Sequence, residues 1–214
     1  ITRAAQALGK IPFCLNELNA SLVTFTGHKI GGLSGTGVLW VNQGVKVQPL
    51  ILGKQEKTRR GGTENLLGVI SMGAAAKHVD PISWDQAVRP LRDRLEKTIL
   101  QKISGCQING LSTSKDLRVG NTLNLSFEGV EGEGLVLALD LEGYAVSAGS
   151  ACSSGVLEPS HVLMALGHSK MQAMSAIRVS LSPAISWEQL ECFVVSLEKV
   201  IHRMRQSKVS FKEV

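Results

Sequence analysis

The chain has 214 residues, of which 19% are charged and 43% hydrophobic, a balance typical of globular proteins rather than of disordered or low-complexity chains. No apolar run approaches the roughly 18 residues of a membrane span, and no signal-peptide pattern opens the chain, so we expect no membrane partner. The net charge of +5 is modest, and the basic residues of the stretch 54–60 are better explained as a phosphate-facing or solvated loop than as a nucleic-acid surface.

The first 80 residues are predicted to form strands and turns followed by one helix. Short β-rich runs at Leu22–Thr26 and residues 38–41 flank a glycine-rich stretch. Thr63 is a plausible N-cap for a helix that runs to about Val79. Asp80-Pro81 should end that helix and form a hinge, which predicts domains at residues 1–80 and 81–214.

The remainder is predicted to alternate helices with strands. Ser83-Trp84-Asp85-Gln86 and Ser186-Trp187-Glu188-Gln189 both match a capping box, so we expect amphipathic helices over about 84–103 and 187–206. Their predicted apolar faces are Val88, Leu91, Leu95, Ile99 and Ile103 in the first and Leu190, Phe193, Val194, Leu197 and Ile201 in the second. Pro90 indicates a kink or a late start in the first of these. Strands are expected at Thr122–Phe127 and residues 177–181, and a helix at Gly132–Leu141 that Gly143 closes. The pattern predicts an α/β fold with two helices packed on a small sheet.

The four cysteines have neither metal-ligand nor disulfide spacing, which is typical of a reducing cytosol. Cys14 and Cys192 lie in apolar patterns and are expected to be buried thiols. Cys152 differs, because it lies in a run of glycine, alanine and serine that offers no bulky side chains to pack it. We therefore interpret Cys152 as a nucleophile on a pliable loop.

Lys29 directly follows a predicted strand, and a lysine held in this way can form a Schiff base with a carbonyl cofactor. Thr26 and His28 add a hydroxyl and an imidazole beside the amine, which could hold a phosphate group. A Schiff-base lysine together with a tethered thiol indicates sulfur chemistry on an amino acid.

These features make the chain resemble the cysteine desulfurases of the NifS/IscS type, which belong to the class V aminotransferases and use pyridoxal 5'-phosphate. The resemblance extends over nearly the whole chain, with its motifs in the family's order. They are Ala4-Ala5-Gln6-Ala7-Leu8-Gly9-Lys10, Thr26-Gly27-His28-Lys29, Arg60-Gly61-Gly62-Thr63-Glu64-Asn65, Asn121-Thr122-Leu123-Asn124, Gly149-Ser150-Ala151-Cys152-Ser153-Ser154, Leu157-Glu158-Pro159-Ser160-His161 and Ile177-Arg178-Val179-Ser180.

The resemblance implies a fold and two domains. Residues 1–80 would be the end of the large domain of the PLP-dependent transferases of fold type I, and residues 81–214 the small α+β domain that carries the cysteine loop. Because Ile1 opens in what resembles mid-domain sequence, the chain is expected to be the carboxy-terminal half of such an enzyme.

The resemblance also implies roles for the residues at matching positions. Lys29 would carry the cofactor, Thr26 and His28 would bind its phosphate, and Gln6 would donate to its phenolate oxygen. Thr63 would bind the phosphate in a partner subunit, which implies a homodimer; its alternative role is the N-cap alone. Arg178 would clamp the substrate carboxylate, and Cys152 would attack the sulfur. Positive charge beside the thiol would favour its ionisation, and either His28 or the Schiff-base nitrogen could supply it.

The implied reaction takes L-cysteine to L-alanine and leaves a persulfide on Cys152 for an acceptor protein. The Ser-Ala-Cys-Ser-Ser loop resembles the class that serves iron–sulfur assembly and tRNA thiolation. The implied setting is cytoplasmic, with no metal ion in the site.

The chain departs from the family at three points. Arg3 stands where the family has an aspartate that pairs with the protonated pyridine nitrogen, and a guanidinium there would weaken the ring as an electron sink. The loop over residues 51–54 is one residue short, and Gly31 replaces an aromatic residue. Two alternatives therefore stay open: a selenocysteine lyase, which shares nearly every motif, and a catalytically inactive fragment that acts as a dimerisation or partner-binding module.

Overall fold

The computed structural model describes residues 1–110, 118–148 and 158–210, with side chains up to residue 207. The chain divides into two compact units, Ile1–Asp85 and Gln86–Val214. In the described part of the chain, no helix is both long and apolar enough to cross a bilayer. Each unit is an assembly of helices and strands, as the predicted α/β class requires.

The first unit is built on a sheet whose described strands follow the order β1-β2-β3. Strand β2 is parallel to β1, with Arg3 beside Thr24, and antiparallel to β3. Buried residues alternate along β2 because successive side chains point to opposite faces of a sheet. The strands are β1 (Thr2–Arg3), β2 (Leu22–Thr26) and β3 (Gly37–Val41).

The helices of the first unit are short apart from one. Helix α2 contributes Met72 to a core with Ala4, Val23 and Phe25. The predicted N-cap at Thr63 is wrong: the helix begins at Leu66, and the Asn65 side chain accepts the N–H of Gly68 at 3.1 Å. Thr63 and Asn65 are both good caps, and only the path of the chain decides between them. The segments are 3₁₀ turns at Leu15–Glu17 and Gly27–Ile30, the single turn α1 (Gln55–Thr58), which contains positive φ angles, and α2 (Leu66–Lys77).

Helix α3 (Pro81–Lys102) starts earlier than the capping-box pattern predicted. Asp80 is its cap: Oδ1 accepts the N–H groups of Ile82 and Ser83 at 3.1 Å, and the Ser83 hydroxyl donates to Oδ2 at 2.6 Å. These hydrogen bonds, led by the one from the Ser83 hydroxyl, lower the pKa of the Asp80 carboxyl. The expected late start is wrong, because Pro81 suits the first helical position and the helix continues through Pro90.

One predicted apolar position on α3 is occupied differently. Arg92 rather than Leu91 is fully buried, with 1% of its surface exposed, and its Nε donates to Asp93 Oδ1 at 2.7 Å. A long arginine stem can pack against apolar neighbours while an adjacent carboxylate compensates the charge. The other expected core positions, Val88 and Leu95 among them, are buried.

The second unit contains an antiparallel sheet whose described strands follow the order β4-β5-β7-β6. Its central strands and α4 lie where the sequence predicted, with β7 one residue earlier. The elements are β4 (Cys106–Ile108), β5 (Thr122–Phe127), α4 (Gly132–Leu141), β6 (Ser147–Ala148), α5 (His161–Ala165), α6 (Lys170–Met174), β7 (Ala176–Ser180) and α7 (Trp187–Ser210).

Helix α7 confirms its predicted capping box. The Ser186 N–H donates to Gln189 Oε1 at 2.9 Å, and the Gln189 N–H donates to Ser186 Oγ at 3.3 Å. The predicted apolar face of the helix is buried, and α4 contacts both α7 and β7. The buried face comprises Leu190, Phe193, Val194, Leu197 and Ile201.

Candidate functional site

Lys29 lies on a short turn that the backbone closes tightly. The 3₁₀ turn Gly27–Ile30 follows β2 directly and ends at Gly31, whose φ of 93° is in the left-handed region. The Gly27 N–H donates to Thr36 O and the Gly32 N–H to Gly27 O, both at 2.9 Å. A Cβ at Gly32 would lie 3.1 Å from Gly27 O and 3.3 Å from Met72 Cα, so α2 also packs closely against the turn. The turn thus holds an exposed lysine side chain at the end of a buried strand.

Thr26 and His28 form a hydrogen-bonded pair beside Lys29. Thr26 Oγ1 lies 2.9 Å from His28 Nδ1. Either the hydroxyl donates to the ring, which leaves Nε2 with the proton, or the ring donates and leaves the hydroxyl proton free. In both cases the pair presents an N–H or O–H donor to an anion at this turn.

Gln6 lies at the same end of the sheet as Lys29. Because β1 and β2 are parallel, the segments that follow them, which contain Gln6 and Lys29, leave the sheet at the same edge. Ligands of α/β proteins characteristically bind at the carboxyl ends of parallel strands. A Cβ at Gly9 would lie 3.1 Å from Ile30 Cγ2, so the two segments are also in close contact.

The carboxamide of Gln6 has a defined neighbour that the sequence did not single out. Lys10 Nζ donates to Gln6 Oε1 at 3.0 Å, and the same ammonium lies 5.8 Å from the ring centroid of Trp84. Lys10 was visible in the Gln6 motif, four residues along, but nothing in the sequence predicted that Trp84 would lie beside it.

Thr63 is exposed in the loop that precedes α2. This loop folds back on residues 51–53: the Gly61 N–H donates to Ile51 O at 2.7 Å, and a Cβ at Gly61 would collide with Leu52 O. The backbone contact explains why glycine occupies position 61. Thr63 thus lies two residues after Gly61, which packs against the shortened loop of residues 51–54.

Arg178 lies in the second unit, on β7, with an exposed side chain. It stands opposite Ser147 of β6, and its Nη2 is 3.5 Å from Ser147 Oγ. Residues 149–157 are not among the described residues, so Cys152 and its predicted loop lie outside them. Arg178 therefore neighbours the strand from which the chain continues towards Cys152.

The other three thiols lie in different environments. Burial raises the pKa of Cys106 to about 12, against a smaller opposing effect of Arg205. Cys14 and Cys192 are exposed, so the expectation that both are buried is wrong. Apolar neighbours in sequence did not bury them, because Cys192 faces outward on α7 and Cys14 precedes a surface 3₁₀ turn.

Comparison with known proteins assigns this chain a family. The family model described as aminotransferase class-V matches residues 2–193. The cysteine desulfurase of Nostoc sp. (strain PCC 7120 / SAG 25.82 / UTEX 2576) is 40% identical over 206 residues, which cover 94% of this chain and 50% of the relative. The chain thus spans about half the length of the curated relatives it matches.

Solved structures support the predicted fold. A structure named NIFS-LIKE PROTEIN matches with a TM-score of 0.80 and 30% identity, covering 94% of this chain and 51% of the other. A structure of SspA in complex with cysteine matches with a TM-score of 0.64 and 28% identity, covering 85% of this chain and 49% of the other. The predicted α/β class and the likeness to NifS-type proteins are confirmed.

Proposed function

This chain belongs to the aminotransferase class-V family, and from this premise we propose that it supplies the Lys29 and Cys152 part of a pyridoxal-phosphate-dependent cysteine desulfurase. The reaction removes sulfur from L-cysteine and leaves L-alanine and a persulfide on Cys152. One observation carries the proposal: the Lys29 turn, with its Thr26–His28 pair, lies against the Gln6 segment at the carboxyl edge of two parallel strands. The 40% identity to a cysteine desulfurase supports the same conclusion.

The residues of the first unit fit three parts of pyridoxal phosphate. The exposed amine of Lys29 suits bond formation with the aldehyde carbon, and the Thr26–His28 pair supplies donors for the phosphate. The Gln6 carboxamide can donate to the phenolate oxygen, while Thr63 is assigned to the phosphate bound by a second copy. When bound, the cofactor supplies an electron sink for the α-carbon of the substrate.

In the second unit, the proposed role of Arg178 is to hold the substrate carboxylate. A guanidinium can pair with a carboxylate through two parallel hydrogen bonds, which fixes the orientation of an amino acid. The exposure of Arg178 on β7 supports this role.

Cys152 is the proposed nucleophile, on the strength of the sequence alone. Its thiolate attacks the sulfur of L-cysteine; an S–S bond forms, the C–S bond breaks, and the electron pair of that bond stays with the carbon, which is then protonated. His28 is assigned a part in holding positive charge that favours the thiolate. The persulfide passes to an acceptor protein of iron–sulfur assembly or tRNA thiolation, in the cytoplasm, and the enzyme works as a homodimer without a metal ion.

The inactive dimerisation or partner-binding module is a second candidate that two observations favour. Arg3, at the end of β1, does not suit a protonated pyridine nitrogen. Helix α2 leaves four large apolar side chains more than half exposed. An exposed apolar surface of this kind is typical of a face that binds another protein. The four side chains are Leu66, Leu67, Val69 and Ile70. A selenocysteine lyase, the third candidate, is distinguished by comparing turnover of selenocysteine and cysteine.

A pyridoxal-phosphate titration followed by visible absorbance tests the cofactor site. We expect the chain to gain an absorbance band that Lys29→Ala abolishes. With L-cysteine, sulfide or alanine release should fall at least a hundredfold in Cys152→Ala, while the absorbance band stays. Absence of a Lys29-dependent band would contradict the proposed cofactor site, and full activity in Cys152→Ala would contradict the nucleophile assignment.

A further inference from the structure

We propose that Lys10 is a positioning residue that holds the Gln6 carboxamide with its N–H₂ group towards the cofactor. The inference rests on the proposed function and adds a residue to it. It starts from the hydrogen bond of 3.0 Å between Lys10 Nζ and Gln6 Oε1.

The orientation of the amide follows from the chemistry of the two groups. A carboxamide has an oxygen that accepts and a nitrogen that only donates, and the two are nearly alike in shape. An ammonium has donors alone, so only Oε1 of Gln6 can face Lys10 Nζ. The opposite side of the carboxamide therefore carries the Nε2 donors. A phenolate oxygen needs a donor, so the flipped amide would repel it.

Lys10 is itself held in place. Its side chain is half-buried, and its ammonium lies 5.8 Å from the ring centroid of Trp84, within the range of a cation–π contact. The backbone N–H of Trp84 donates to Asp80 O at 3.0 Å in the first turn of α3. The indole ring is therefore carried by a residue of a regular helix. Lys10 thus reaches Gln6 from a fixed position.

The backbone also restricts the segment between the two residues. The Leu8 N–H donates to Ala4 O at 3.1 Å and the Lys10 N–H to Ala7 O at 3.0 Å, so residues 4–10 form two successive backbone turns. Lys10 Nζ reaches Gln6 Oε1 across these turns. Gly9, with φ of 75°, lets the chain pass close to Ile30 of the Lys29 turn. The Lys10–Gln6 pair is therefore built into the same edge of the sheet as the Schiff-base lysine.

The test is a pyridoxal-phosphate titration of the full chain with Lys10→Met, Lys10→Arg and the exposed-lysine control Lys46→Met. We expect Lys10→Met to raise the Kd about tenfold, the effect of losing one hydrogen bond to a charged group. The pH midpoint of the visible band should also shift upward, because an amide free to flip stabilises the phenolate less well. Lys10→Arg should restore both values, since a guanidinium also has donors alone, and Lys46→Met should match the wild type.

A double-mutant cycle separates positioning from direct charge. In a Gln6→Ala chain, Lys10→Met should cause no further change in Kd or in the pH midpoint, because the residue acts through the amide. The proposal would be overturned if Lys10→Met changed the Kd and the pH midpoint equally in the wild-type and Gln6→Ala chains. It would also be overturned if Lys10→Met left both values of the wild-type chain unchanged. A wild-type chain without a Lys29-dependent band would overturn the proposed function and this inference together, whereas normal binding by Lys10→Met overturns the inference alone.

Discussion

Arg3 is the residue whose chemistry conflicts most with the proposed reaction. It ends β1 beside Thr24, three residues before Gln6, with an exposed side chain. A guanidinium carries a positive charge, so it disfavours a second positive charge on a nearby pyridine nitrogen. The resemblance predicts an aspartate at this position, which would stabilise that charge.

We expect Arg3→Asp to raise the rate of alanine release from L-cysteine by at least about tenfold, which corresponds to about 1.4 kcal/mol of the barrier. The physical reason is that a carboxylate favours the protonated ring and therefore its capacity to accept electrons. Arg3→Met is the matched control, because it removes the positive charge without adding a negative one, and it should give a smaller gain. Equal rates in all three chains would show that residue 3 does not face the ring.

At the scale of elements, close backbone contacts decide where helices can pack. Gly132, the first residue of α4, would place a Cβ 2.6 Å from Ala176 O and 2.9 Å from Met174 O. Both atoms belong to the backbone and cannot move independently of β7 and α6. Gly134 is two residues further along α4. A Cβ there would lie 3.2 Å from the flexible Met204 Cε and 4.0 Å from Glu131 Oε2, and neither atom belongs to the backbone.

Gly132→Ala should therefore lower the free energy of unfolding by about 1–3 kcal/mol, the usual cost of overpacking. Gly134→Ala is the control, and its effect should be small or favourable because alanine is the better helix former. Urea unfolding followed by circular dichroism measures both. A Gly132→Ala chain as stable as Gly134→Ala would show that α4 can move away from β7 at little cost.

At the scale of the whole molecule, the first unit exposes an apolar surface that a lone globular domain rarely keeps. Helix α2 has large apolar side chains around its circumference rather than on one stripe, and Leu67 and Ile70 are 76% and 67% exposed. A helix of this kind normally lies in a protein interior or interface.

We expect the chain alone to associate through this helix. Leu67→Glu combined with Ile70→Glu should shift sedimentation towards the monomer and reduce binding of a hydrophobic dye by about half, with unchanged helix content. Val195→Glu, which adds a charge at a 57% exposed position on α7, is the control. Unchanged association in the α2 variant would place the contact elsewhere.

Local sequence was sufficient where a signal and its effect lie within one turn or strand. The bounds of β2, β5 and α4 matched their predictions, because alternation along a strand and a closing glycine act on neighbouring residues. The Ser186 capping box formed for the same reason, and the contact between Thr26 and His28 needs only a separation of two residues. Family membership also followed from the motifs.

Only the tertiary structure decided between local signals of equal strength. Asn65 and Asp80 cap their helices instead of Thr63 and Ser83, because the path of the chain into each helix selects which side chain reaches the free N–H groups. Arg92 is buried, whereas Cys192 is exposed, since burial depends on what packs against a helix.

The candidate site divides in the same way. The sequence by itself determined which chemical groups are present: the amine of Lys29, its hydroxyl and imidazole neighbours, and the carboxamide of Gln6. The parallel pairing of β1 and β2 brought Gln6 to the Lys29 turn, and α3 brought Trp84 to Lys10, across 74 residues of sequence. Residue types are fixed by covalent structure, but the orientation of an amide depends on contacts between segments far apart in the chain, which form only when the unit folds.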